Sequence, residues 1–187
     1  MEESSFVSVF RAIASDVMGN DAIVEPKASL FYQLYLDKDL SLIVQDTRIP
    51  RRGDSAFETD ICIFEMVDEI KFPRIVIEFK PKITTHDILT YSVKAGRHKK
   101  IYPCLRYGLL ASDLSSIPRR FFMHNENLDF FIAAQNYSSE SEVRSFASKL
   151  IRKELEISKE LQRIHFSDEK VDYYRTEIVF GKFGEVQ

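Results

Sequence analysis

The chain has 187 residues, 44% apolar and 29% charged, with a formal net charge of −3, a length that suits one globular domain with a real core. Fifteen Phe and eight Tyr exclude wholesale disorder, and only two Cys, Cys62 and Cys104, exclude a disulfide-built secreted scaffold. The Met-Glu-Glu-Ser-Ser start lacks the basic and apolar regions of a secretory signal, and no apolar run reaches the roughly 18 residues of a membrane span, so a soluble, cytoplasmic, mixed α/β protein is expected.

Phe6, Val9, Phe10, Ile13 and Val17 recur at helical spacing and Gly19-Asn20 closes the run, predicting a helix over 6–18. Pro26, a favoured first-turn residue, predicts a second short helix that buries Leu30, Phe31, Leu34 and Tyr35. Leu42-Ile43-Val44 is a short strand candidate, and a loop with three arginines spans Arg48 to Ser55. Phe57 to Met66 reads as a strand, Met66 to Phe72 holds a charged turn, and Arg74 to Lys80 is a third strand ended by Pro81. A helix follows over 85–100, with Thr84 or Thr85 as N-cap and Asp87 in its first turn.

Leu105 to Ala111 and residues 127–134 read as two further strands. Ser139-Glu-Ser-Glu142 then matches the capping box and opens a long C-terminal helix. Its stripe of Val143, Phe146, Leu150, Ile157, Leu161 and Ile164 serves either the core or a dimer seam. Neither a repeat nor a linker interrupts the chain, so residues 1–187 are expected to form one domain.

The charge is unevenly spread. Between Lys71 and Arg106, nine basic residues face two acids, giving +7 and leaving −10 for the rest. A local positive field attracts polyanions even on an acidic protein, because salt screens distant charges more than near ones. Arg48, Arg51 and Arg52 form a second basic cluster, and Arg119 with Arg120 a third. Solvated helix and loop surface is the plain alternative.

Glu-x-Lys occurs three times, at Glu25, Glu69 and Glu78, and context separates the three. Only Glu78 and Lys80 lie in an apolar alternating run, where both share one strand face while Ile75, Ile77 and Phe79 take the other. Charges on so apolar a strand need a partner or a task, since burying them unpaired is expensive. A cross-strand salt bridge would meet that need without chemistry.

In Asp60-Ile-Cys-Ile-Phe64, Asp60 faces away from Ile61 and Ile63. An antiparallel pair joined through residues 65–73 would bring Asp60 near Glu78. Two carboxylates suit Mg²⁺, which takes few protein ligands and keeps several waters; Mn²⁺ can substitute. Lys80 could orient an attacking water and neutralise developing phosphate charge. Phosphodiester hydrolysis is the chemistry this set supports. Lys94, Arg97, Lys99 and Lys100, with Lys82, Arg51 and Arg52, would hold backbone phosphates, and Tyr91 could stack on a base.

Asp60-Ile-Cys-Ile-Phe, then Ile75-Val-Ile-Glu78-Phe-Lys80, then a basic helix and another strand, resembles the PD-(D/E)XK nuclease superfamily. The resemblance covers about residues 26–111, in the order helix-strand-strand-strand-helix-strand. It implies a restriction endonuclease-like core, a mixed β-sheet flanked by helices, and a Mg²⁺-dependent endodeoxyribonuclease acting on DNA. It also implies Asp60 and Glu78 as metal ligands, joined by the Phe79 carbonyl, and Lys80 as the catalytic lysine. Glu25 is the candidate for an accessory upstream acid, while Glu58 and Asp54 compete with Asp60 for the place of first acid. Thr59 stands where the superfamily often has proline, and Asp87 where several exonuclease branches have glutamine four residues before a tyrosine, here Tyr91.

The four His are scattered without metal spacing, Cys62 suits a core, and neither a phosphate-binding Gly loop nor a nucleophile elbow is present. Two other classes remain open: a non-enzymatic nucleic-acid-binding module and a protein-interaction domain. An enzyme that cuts both strands of a duplex is most economically a homodimer.

Overall fold

A computed structural model describes residues 3–19, 22–43, 46–50 and 55–183. Helix α1 (Glu3–Met18) leads into strand β1 (Ala22–Pro26) and a three-residue strand β2 (Ser29–Phe31). The short helix expected from Pro26 does not form. Pro26 instead ends β1 at the sheet edge, where its missing N–H is tolerated. Lys27 then reverses the chain with a φ of 53°. Leu30 and Phe31 are buried as that helix would have had them, but as strand residues; Leu34 and Tyr35 are exposed. Leu42 forms only an isolated bridge to Leu36, and Val44 lies outside the described residues.

The strand expected over 57–66 is two strands, β3 (Ala56–Glu58) and β4 (Ile61–Val67). Thr59 causes the break, because both its N–H and its hydroxyl donate to the Ala28 carbonyl, at 2.9 and 3.0 Å. β3 therefore pairs with β2, while β4 pairs with β1 and with β5 (Ile70–Lys80). The charged turn shrinks to Asp68 and Glu69, with φ of 48° and 66°. Positive φ at both positions matches the twist of a two-residue hairpin.

Helix α2 (Thr85–Ile101) opens on a full capping box between Thr84 and Asp87. Strand β6 (Arg106–Ala111), a short helix α3 (Arg119–His124) and strand β7 (Phe130–Ala133) follow. Helix α4 (Glu140–Phe166) opens on the expected Ser139–Glu142 capping box. Nothing in the sequence marked α3, whose N-cap is Pro118 with no side-chain hydrogen bond.

Among the described residues the main sheet has the order β1-β4-β5-β6-β7, antiparallel through β5 and parallel from β5 to β7. It is a mixed sheet flanked by helices. On one face Phe10 and Ile13 of α1 and Phe146, Leu150 and Ile151 of α4 pack against Ile61, Ile63, Ile75, Ile77 and Phe79. The α4 stripe is thus core for the first half of that helix. On the other face Ile88 and Ala95 of α2 and Phe121 of α3 cover Cys62, Val76, Leu109 and Phe131. Burying each large apolar side chain contributes about 1.5–3 kcal/mol, which fixes the register of β5 between two cores. Gly108 of β6 lies beside Phe130, whose ring would be 2.2 Å from any Cβ added there. No described helix is long and apolar enough to cross a membrane.

Candidate active site

The β4–β5 pairing sets Ile61 opposite Ile77, so Asp60 comes opposite Glu78 on the α2 side of the sheet. β4 stops at Ile61, and the Asp60 carboxylate takes over its next ladder position: Oδ2 accepts the Phe79 N–H at 2.8 Å. A backbone hydrogen bond thereby positions one acid beside the other.

Glu78 is 2% exposed. Its Oε1 accepts from Lys94 Nζ of α2 at 2.6 Å and from the Tyr107 hydroxyl of β6. Burial raises the Glu78 pKa and the nearby Asp60 charge raises it further, while Lys94 and Tyr107 oppose the shift. Tyr107 is held well above the ordinary phenol range by burial and by the Glu78 charge, so its hydroxyl stays a donor. Lys94 Nζ also donates to the Glu58 carbonyl at 2.6 Å. One ammonium thus ties β5 to the segment that carries Asp60.

Lys80 is half-buried, with Nζ 5.7 Å from the centre of the Tyr91 ring, and Lys94 Nζ lies 5.9 Å from the same ring. Burial and the Glu78 charge raise the Tyr91 pKa, opposed by its hydrogen bond with Lys80. Phe79 turns its side chain to the opposite core, edge-on to Phe10 at 5.5 Å between ring centres. Its backbone runs between the two charged residues.

The remaining candidates disperse. Glu25 is ion-paired with Lys71 at 2.7 Å on β1. Glu58 belongs to the small β2–β3 pair, so it does not share a strand with Asp60, and it contributes its carbonyl to Lys94. Asp87 caps α2. Lys82, Arg97 and Lys100 are exposed, with Arg97 5.8 Å over the Tyr32 ring. Lys99 is bound inward, to Asp129 at 2.6 Å and to the Asn127 carbonyl at 2.7 Å. Arg51, Arg52 and Asp54 lie outside the described residues.

No family model matches this chain, and no curated protein matches it.

Among the described residues no three His, Cys, Asp or Glu gather to hold a metal ion. The donor set is smaller: Glu78, and the Asp60 carboxylate whose nearby charge disfavours that of Glu78. A divalent cation relieves that repulsion, and Mg²⁺ accepts as few as one or two carboxylates with waters completing its shell. Asp60 and Glu78 fit such an ion in charge and in oxygen chemistry.

The contact of Tyr107 with Glu78 has no local signal in the sequence. Tyr107 sits 29 residues from Glu78, and only the parallel β5–β6 register, Glu78 beside Leu109, makes them neighbours. Lys94 was visible as a basic helix residue, but not as the ion partner of Glu78.

Proposed function

We propose that this chain is a Mg²⁺-dependent nuclease that hydrolyses DNA phosphodiester bonds, built on a restriction endonuclease-like core of the PD-(D/E)XK type. The observation that carries this reading is the meeting of Asp60 and Glu78 on one sheet face, with Lys80 two residues along the same strand. The element order also supports it: α1, then the antiparallel β1, β4 and β5, then α2 and the parallel β6. For the main sheet and its helices that is helix-strand-strand-strand-helix-strand, with α1 in place of the helix expected at Pro26, β1 in place of the strand expected at 42–44, and the β2–β3 pair inserted between β1 and β4.

Asp60 and Glu78 would hold the ion, Mg²⁺ or Mn²⁺, with the Phe79 carbonyl beside them. When bound, such an ion polarises the phosphoryl group and lowers the pKa of a coordinated water. Lys80 holds positive charge where negative charge develops on the phosphorus oxygens and orients the attacking water. Tyr107 fixes the Glu78 carboxylate, and in the cation-free protein Lys94 does so as well. Lys82, Arg97 and Lys100, exposed on or beside α2, supply a positive surface for the DNA backbone. A homodimer in the cytoplasm would place one such site on each strand of a duplex.

Plasmid cleavage tests the reading directly. Wild type should nick or linearise plasmid with Mg²⁺ or Mn²⁺, and Asp60→Asn, Glu78→Gln and Lys80→Met should each lose at least about 100-fold in rate. Undiminished cleavage by all three variants would overturn it.

The Lys94–Glu78 ion pair favours one second reading, a nucleic-acid-binding module without catalysis, in which the acid serves structure alone. That module would bind DNA with affinity falling steeply as salt rises, and would leave it uncut whichever divalent cation is added.

A further inference from the structure

Lys94 and Lys99 of α2 both turn their charge inward, but Lys99 meets Asp129 whereas Lys94 meets an acid of the candidate site, Glu78. The Lys94 side chain is 16% exposed, against 3% for that of Glu78. The ammonium takes two oxygens at 2.6 Å each, a carboxylate oxygen of Glu78 and the backbone carbonyl of Glu58. A carboxylate and a carbonyl are hard oxygen donors, the types that a hard divalent cation also selects. Two residues after Glu58 comes Asp60, itself fastened to Phe79. Lys94 therefore sits at the junction of the two segments that carry the acids, with its positive charge against Glu78.

From this geometry we infer that Lys94 is a built-in stand-in for the divalent cation: it holds Glu78 in the cation-free protein, and cation binding displaces it. The inference rests on the metal-dependent reading of Asp60 and Glu78. Charge alone makes the two occupants competitors, because a divalent ion and an ammonium on one carboxylate repel each other at short range. Lys94 can leave at small cost. Its four-carbon stem is flexible, its head is a compact, strongly hydrated charge, and it keeps a path to solvent. The Tyr91 ring, already near both the Lys94 and the Lys80 ammonium groups, offers a second place for a displaced cation. Lys94 released there would stand beside Lys80 and face an incoming phosphate.

A purely structural ion pair makes the opposite prediction. Removing one partner of a buried pair loosens the site, so cation affinity would fall or stay the same. A displaced stand-in, once deleted, leaves the cation without a competitor.

Calcium calorimetry at pH 8 separates the two, with Ca²⁺ as a hard probe and Mn²⁺ as a second. Lys94→Met should bind Ca²⁺ at least tenfold more tightly than wild type, while Lys94→Arg, which keeps the competing charge, should stay within about threefold. DNA cleavage by Lys94→Met should nonetheless fall, because the released ammonium is gone. Unchanged or weaker Ca²⁺ affinity in Lys94→Met, with wild-type binding that Asp60→Asn abolishes, would overturn the role of Lys94 and leave the metal site standing. Absence of Ca²⁺ and Mn²⁺ binding in both wild type and Lys94→Met would overturn both. Should Lys94→Met unfold, Lys94→Gln is titrated in its place and judged by the same outcomes.

Discussion

Asp60 Oδ2 accepts the Phe79 N–H at 2.8 Å, a side chain completing a backbone ladder that its own strand has left. The bond orients the carboxylate towards β5 and separates two roles of Asp60, acceptor and anion. Asp60→Ala leaves a buried N–H unpaired and should cost about 1–3 kcal/mol in urea melts. Asp60→Asn keeps an acceptor oxygen and should stay within about 1 kcal/mol of wild type, yet lose cation binding by calorimetry. Equal stability losses in the two variants would contradict this division.

Tyr107 and Glu78 form the second coupled pair. Tyr107→Phe removes one donor from a buried carboxylate while leaving the ring against His98, 5.7 Å away and stacked. Stability at neutral pH should fall by about 1.5–3 kcal/mol, the worth of a hydrogen bond to a charged group. Glu78 loses one of the groups that oppose its upward pKa shift, so cation binding should require a higher pH than in wild type. Calcium titrations at several pH values check this, and superimposable profiles would refute it.

His98 sets an acid limit on the fold. The residue is fully buried, its Nδ1 donates to the Phe31 carbonyl at 2.9 Å, and Nε2 has no hydrogen-bond partner among the described residues. Burial therefore lowers its pKa from 6.5 to about 4, opposed by the bond to Phe31. The unfolded imidazole takes up its proton near pH 6.5 and the folded one only near pH 4. Acid thus favours the unfolded chain, and stability should fall by about 3 kcal/mol from this group between those values, then level off. Urea midpoints of wild type and His98→Phe across pH 7 to 4 isolate the effect. The advantage of wild type should shrink steadily through that window, and a constant difference would contradict it.

Much of this architecture is legible in the sequence because it is local. The Ser139–Glu142 and Thr84–Asp87 boxes lie within one turn, and alternation in Arg74 to Lys80 places Glu78 and Lys80 on one face before any fold is known. What escapes is either ambiguous or distant. Pro26 opens helices and also ends edge strands, and only the pairing of β1 with β4 chooses between them. Thr59 breaks an otherwise convincing strand through a bond to Ala28, 31 residues away. Lys94 and Tyr107 reach Glu78 over 16 and 29 residues, separations that no periodicity spans. The acids of the site were readable; the groups that hold one of them were not.

Anomalous diffraction from crystals of the protein soaked in Mn²⁺ decides whether Asp60 and Glu78 hold a divalent cation. The expected result is a Mn²⁺ peak between the Asp60 and Glu78 carboxylates, with Lys94 Nζ moved away from Glu78 Oε1. Crystals in which Mn²⁺ binds elsewhere or not at all, while Lys94 keeps its 2.6 Å contact with Glu78, would contradict that site.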